Sequence, residues 1–340
     1  MGYTEEVLHN IRTQIDAHPE PLHEARSRLE LVRMIAITFQ GALRTYRSGS
    51  LAQHTFIHPV SDGDGGLVLD RRVYPELGPE GGGETPAEVT TNLCGLLGPA
   101  VRETYPKARC STSKRGTKIT FGQPVDDQDP TVDLVVALTR KEGAGLWIPN
   151  LKTNRWESSD PERHVELFTS GGESLRRTRR RTIRLLKAWN KQYNEPGFSS
   201  HNLTVWAWEY IEPGMGMPTA LSTVLTEAAG RVDAGKATPD PAGVSPNVKL
   251  LVSRNVAARR LHTAAEAIAE AIDHDDDRNA VLSALSRMYY NYIDDPTSDG
   301  LAGKVAALRR GSVTTATLGI SGQSTLVRPT RAFGDVRPRE

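Results

Sequence analysis

Along residues 22–46 the apolar positions Leu29, Val32, Ala36, Phe39 and Leu43 recur at three- and four-residue steps. That spacing gives one apolar stripe and predicts a long helix, ended by Ser48-Gly49-Ser50. The pattern then changes. Leu67–Leu69, Lys118–Phe121 and Val132–Leu138 are short, apolar runs rich in branched residues, as strands are. Gly145–Ile148 reads as a hairpin partner of the last of them. A Gly/Pro loop over residues 74–85 and a helix over 86–104 fall between the first two strands. From about residue 159 the period is helical throughout. Ser159-Asp160-Pro161 offers a capping side chain and a proline for the first turn. Helices are expected over 161–169, 173–192, 200–211, 217–230, 247–273 and 278–293. Leu261, Ala265, Ile268 and Ile272 would form the core face of the fifth, and Val281, Leu285, Met288 and Tyr292 that of the sixth. The expected class is α+β, a mixed sheet with a long N-terminal helix followed by a C-terminal helical domain. A ligand site belongs in the cleft between them. The boundaries drawn are 1–165, 166–311, and a Gly-, Ser-, Thr- and Arg-rich tail over 312–340.

Composition narrows the class without choosing a function. With 340 residues, 38% hydrophobic and 24% charged, a sizeable core is assured. A formal charge of +1 gives no overall attraction for nucleic acid, so any phosphate-binding surface must be local. The two cysteines, Cys94 and Cys110, form no CxxC pair; neither structural zinc nor a disulfide framework is expected, and a reducing cytosol fits. The opening MGYTEEVLHN has no basic-then-apolar order, so no signal peptide is expected. No apolar run approaches the ~18 residues of a membrane span. A cytoplasmic protein is the reading. The acidic run Asp273–Asp277 with His274 reads as a solvated connection between helices.

The chemistry concentrates in Gly49-Ser50 and, eleven residues on, Asp62-Gly63-Asp64. On an extended strand residues i and i+2 share a face, so the two carboxylates lie side by side. Two like charges so placed repel unless a cation separates them, and Mg²⁺ suits oxygen ligands and phosphates. A calcium loop is excluded, because its twelfth position would be Val73. Asp133 is in phase with Val135 and Ala137 and would bring a third carboxylate from a neighbouring strand. Three such groups can hold two metal ions about 3.5–4 Å apart for nucleotidyl transfer. Mn²⁺ would substitute. Gly49 lets the backbone approach a phosphate, and Ser50 can donate to it.

Gly49-Ser50, Asp62-Gly63-Asp64 and Asp133 together resemble the signature of polymerase-β-like nucleotidyltransferases. Within that superfamily the chain is similar to the bacterial cGAS/DncV-like enzymes, the CD-NTases. Three segments carry the narrower match: Arg155–Pro161 with His164, Ile183–Asn190, and Phe198–Leu203. The segment 238–243, Thr-Pro-Asp-Pro-Ala-Gly, carries it less decisively. The resemblance implies a nucleotidyltransferase core over 1–165 with the long helix as its spine. It further implies Mg²⁺-dependent joining of nucleoside triphosphates, ATP among them, into a cyclic oligonucleotide with release of pyrophosphate. The product would activate a downstream effector in antiphage signalling, with nucleic acid possible but not required, and no membrane. Transfer to a protein, RNA or small-molecule hydroxyl, and linear oligonucleotide synthesis, stay open as alternatives. So does a silent nucleotide- or RNA-binding sensor.

The resemblance also assigns Lys187 and Ser200 to the triphosphate. Arg180, Arg184, Lys187 and Lys191 do form a basic stripe on one helix, which a solvated face would equally explain. His201 either stacks on a base or only lines the cleft. Ser159 and Asp160 read as capping, Trp147 and Trp156 as core, and His54 and His58 as loop residues facing solvent. One departure stands out. Gly63 occupies the usual apolar position between the aspartates and Gly65-Gly66 follow, which points either to a bulge re-aiming Asp64 or to altered activity.

Overall fold

A computed structural model describes residues 2–293 of the chain. The expected 312–340 tail lies outside the described residues. Two helices open the fold, α1 (Tyr3–Ile15) and α2 (Pro19–Ala36). The sheet elements follow: β1 (Ala42–Ser48), a short α3 (Gly49–Gln53), β2 (Asp62–Leu69), α4 (Pro86–Thr104), β3 (Arg109–Thr112), β4 (Thr117–Thr120), β5 (Thr131–Thr139), β6 (Leu146–Asn150) and β7 (Arg155–Ser159). Helices complete it: α5 (Pro161–Phe168), α6 (Glu173–Lys191), α7 (Ser200–Tyr210), α8 (Met217–Asp233), α9 (Arg254–Asp273) and α10 (Arg278–Ser286).

The strands form one mixed sheet in the order β1-β2-β5-β4-β3, with β6 pairing β5 and β7 pairing β6. Among the described strands only β2 and β5 run parallel; the other pairs are antiparallel. One face of β2 and β5 buries Leu67, Leu69, Val132, Leu134, Val136 and Leu138 against Leu29 and Val32 of α2 and Leu93 and Leu97 of α4. The opposite face carries the aspartates at one end and Val68 and Ala137 at the other. This alternation is the period-two signal that marked the strands.

The predicted helix over 22–46 is corrected by the structure. It ends at Ala36, and the chain then turns through Gly41, at φ +70°, into β1. The stripe continued into Phe39 and Leu43, but pairing with β2 wins: Tyr46 inserts among Val68, Ala137 and Leu146, and Leu43 is left exposed. Tertiary pairing overrides local periodicity here. Helix α1 escaped the sequence reading, although Val7, Leu8, Ile11 and Ile15 carry its spacing. It packs among the C-terminal helices, in one cluster with Leu186, Trp189, Ile268 and Leu285. Strands β1, β3 and β7 were likewise not anticipated. Helix α4 matches its predicted range and starts on a capping box between Thr85 and Glu88. Helix α9 begins seven residues later than expected, after Val248 bridges Thr238 in extended form.

Cys94 of α4 and Cys110 of β3 are disulfide-bonded, with Cα atoms 5.7 Å apart. The expectation of no disulfide is corrected to this extent: α4 packs across β3, so residues sixteen apart in sequence face each other. In the acidic run, Asp275 accepts from the Thr4 amide at 2.7 Å and Asp277 caps α10, consistent with a connection between helices. No helix among the described residues is long and apolar enough to cross a membrane.

Candidate active site

The parallel register of β2 and β5 sets Asp64 beside Asp133. Asp62, two residues from Asp64, shares its face, and the three carboxylates offer oxygens within 4.8 Å of one another. Burial first, then the charges of Asp62 and Asp133, push the Asp64 carboxyl up to about 7, with Lys187 and Lys118 opposing. Burial also raises Asp133, against the pull of Lys118. Three carboxylates so close, with burial raising Asp64 despite Lys187 and Lys118, fit a site for divalent metal.

No bulge re-aims Asp64. The β2–β5 register runs unbroken from Asp62 opposite Thr131 to Leu69 opposite Leu138. The glycines answer to packing. A Cβ at Gly63 would press on Leu29 and Leu51 at 3.3 Å, and one at Gly66 would fall 2.1 Å from the Tyr46 ring. Tyr46 takes the space that a side chain at Gly66 would fill.

The other wall begins where β1 turns into α3. Gly49 has φ +62°, and a Cβ there would lie 1.8 Å from Asp64 Oδ2. Only glycine allows the backbone so near this carboxylate. Ser48, Gly49, Ser50 and Gln53 face a cavity of about 560 Å³ that also opens onto all three aspartates. Lys187, Lys191, Ser200 and His201 close it from α6 and α7. The predicted residues from five separate segments therefore meet around one cleft.

Lys187 is 6% exposed; its Nζ donates to the Thr55 carbonyl at 2.8 Å and to the Thr55 hydroxyl at 3.1 Å. Burial first and then Lys191 depress it to about 8, while Asp62 and Asp64 pull it back up. The basic stripe divides. Lys187 and Lys191 line the cleft, whereas Arg184 donates to Asp16 at 2.9 Å and lies over Phe56 with Arg26. Ser199 caps α7 by accepting from the Asn202 amide, which sets Ser200 and His201 at its first turn, facing the cavity. Burial, then neighbouring His164, push His201 down to about 4.

Asp160 caps α5 by accepting from the Arg163 amide at 2.9 Å, as its position predicted. Trp156 is core, while Trp147 is half-buried under the Arg140 guanidinium. His54 is exposed in the left-handed region, and His58 stacks on His18 at 4.7 Å. Two groups near the carboxylates escaped the sequence reading. Lys118 sits opposite Asp133 on β4, and Thr55 holds Lys187. Lys118 was legible in principle, in the alternation of Lys118-Ile119-Thr120-Phe121.

No protein-family model matches the sequence. No curated protein matches it. Solved structures do. CdnC of E. coli MS115-1, in complex with ATP, aligns with a TM-score of 0.61 at 13% identity, covering 86% of this chain and 99% of that one. The CD-NTase CdnG of Bradyrhizobium diazoefficiens, in complex with GTP, aligns at 0.61 and 16% identity, covering 84% and 95%. The Vibrio cholerae cyclic AMP-GMP synthase DncV, bound to a linear intermediate, aligns at 0.54 and 13%, covering 86% and 87%. The likeness lies in architecture rather than sequence, and the chain therefore has the cGAS/DncV-like, CD-NTase fold, as its resemblance over the carboxylate motif and the segments 155–164, 183–190 and 198–203 implied.

Proposed function

We propose that the protein is a metal-dependent nucleotidyltransferase that joins nucleoside triphosphates into a cyclic oligonucleotide and releases pyrophosphate. The observation that carries this reading is the meeting of Asp62, Asp64 and Asp133 on the cleft face of the sheet, opposite Lys187. Divalent ions held there, Mg²⁺ foremost, would lower the pKa of an attacking sugar hydroxyl and offset charge on the leaving group. The chain's own residues supply the positioning. Asp64, poised near 7 and buried, is a carboxylate that a cation readily deprotonates. Gly49 and Ser50 give a phosphate close backbone approach and a hydroxyl donor. Lys187, fixed by Thr55, brings a buried cation to the same cavity without a covalent intermediate. His201, neutral at physiological pH, presents an aromatic face to a base.

The relatives of like fold support substrates of this kind, since they are seen with ATP, GTP and a linear dinucleotide intermediate. In this reading the product serves as a messenger to an effector in bacterial antiphage defence, and the reaction is enclosed between the sheet and helices α6 and α7. The test is incubation of the protein with labelled ATP, GTP, CTP and UTP plus Mg²⁺ or Mn²⁺, then phosphatase and mass spectrometry. A phosphatase-resistant cyclic product supports the reading. Pyrophosphate release with only linear or protein-linked nucleotide would replace it with the corresponding transferase, and no turnover with either metal would overturn it.

A further inference from the structure

A second cluster of ligating groups, separate from the three aspartates, reaches the same cleft through His164 and His201. His164 of α5, His201 of α7 and Asp240 of the loop after α8 offer ligand atoms within 4.8 Å of one another. They come from three separate segments, and each is held. The Asp240 side chain is 1% exposed. Its Oδ2 accepts from the backbone amides of Val244 at 3.0 Å and Ser245 at 2.7 Å, which aims Oδ1 at His164 Nε2 in a hydrogen-bonded contact. Burial opposes ionisation of Asp240, but the Ser245 amide, His164 and the Val244 amide together hold its carboxyl below the usual range. The His164 ring stacks on Phe168 at 5.8 Å and tilts against His201 at 4.8 Å, so both imidazoles are oriented by packing.

We infer that His164, His201 and Asp240 form a second metal site, suited to a nitrogen-preferring ion such as Zn²⁺ and distinct from the three-aspartate site. Two imidazoles and one carboxylate are a ligand set used by zinc sites that keep an open fourth position. Mg²⁺, which prefers all-oxygen surroundings, is disfavoured by the two nitrogens. The Val244 and Ser245 amides do for Asp240 what a supporting carboxylate or carbonyl does for ligands of known sites, fixing which oxygen faces the ion. His164 and His201 both line the cavity, so the open position faces a bound ligand.

The exchange is simple in its balance. The His164 Nε2–Asp240 Oδ1 hydrogen bond is given up: the neutral imidazole carries its hydrogen on Nδ1, and Nε2 and the carboxylate oxygen both bond the ion. With bonds of about 2.0–2.1 Å at a tetrahedral centre, those two atoms must part by roughly 1 Å. That movement falls to His164, because Asp240 Oδ2 is tied to the Val244 and Ser245 amides.

The test uses the untagged full chain, stripped with EDTA and kept in excess Mg²⁺ to cover the aspartates. Zn²⁺ binding is followed by calorimetry and Co²⁺ binding by its visible absorption. A single tight equivalent is expected, retained in the Asp62→Ala/Asp64→Ala double variant. His201→Phe, which preserves ring packing, should weaken it by more than about 100-fold, beyond the loss of a merely supporting partner. Asp240→Asn provides a second variant should His201→Phe misfold. Binding unchanged in His201→Phe, lost in the double aspartate variant, or absent from the wild type would overturn the site and leave His164–Asp240 as a hydrogen-bonded tie.

Discussion

Replacing Asp64 by Asn removes a charge that the metal-free fold holds at a cost. The carboxyl stands at about 7 against an ordinary value of 3.8, chiefly through burial and then through Asp62 and Asp133. Below pH 3.8 both folded and unfolded chains hold the proton. Between 3.8 and 7 the unfolded chain releases it while the folded chain keeps it, so this group lowers stability as pH rises through that window. Above 7 the full cost is present. At about 1.36 kcal/mol per pH unit it comes to at most about 4 kcal/mol. Asparagine keeps the shape and drops the charge. In EDTA at pH 8, Asp64→Asn should therefore unfold roughly 5 °C or more above the wild type. At pH 5 the gap should narrow. Metal narrows the gap: ligand at a hundred times its Kd adds about 2.7 kcal/mol to a protein that binds it only when folded. Mg²⁺ or Mn²⁺ should raise the wild-type midpoint and leave that of Asp64→Asn nearly unmoved. Differential scanning calorimetry over pH and metal concentration checks all three statements. A variant no more stable than the wild type in EDTA at pH 8, or one equally stabilised by metal, would refute the reasoning.

Four further substitutions test the cleft and the packing that supports the sheet. Gly49→Ala places a methyl against Asp64 and strains a backbone at φ +62°, so turnover should fall about 100-fold while circular dichroism shows an intact fold. Gly66→Ala collides with the Tyr46 ring and should cost about 1–3 kcal/mol in urea unfolding, partly recovered by adding Tyr46→Leu. Arg28 is fully buried and donates to Asp129 at 2.6 Å, Glu24 at 2.9 Å and the Pro130 carbonyl at 2.7 Å; Arg28→Met should destabilise by about 3 kcal/mol on the same assay. Lys187→Ala should lower the rate of pyrophosphate release about 100-fold or more, with little change in unfolding midpoint once metal is bound.

Much of the fold was legible because its signals are local. The branched run Val132–Leu138 and the Asp160-Pro161 start of α5 each draw on neighbours within a few residues. The spacing of Asp62 and Asp64 fixed their shared face for the same reason, since strand alternation depends on backbone geometry alone. Where a local signal met a competing long-range partner, it failed. The stripe through Phe39 and Leu43 favoured helix, yet residues 42–48 became β1 because pairing with β2 buries Tyr46 in the space left by Gly66. Those glycines looked like a flaw in the motif until the ring above them was located. The parallel register placing Asp133 beside Asp64, the approach of Lys118 and Lys187, and the gathering of His164, His201 and Asp240 join segments far apart in the chain. The sequence by itself settled which residues could carry charge or bind metal, and which face of a strand each would take. Which of them meet depends on how sheet and helices pack, and burial among like charges, which sets the state of Asp64, exists only once they have done so.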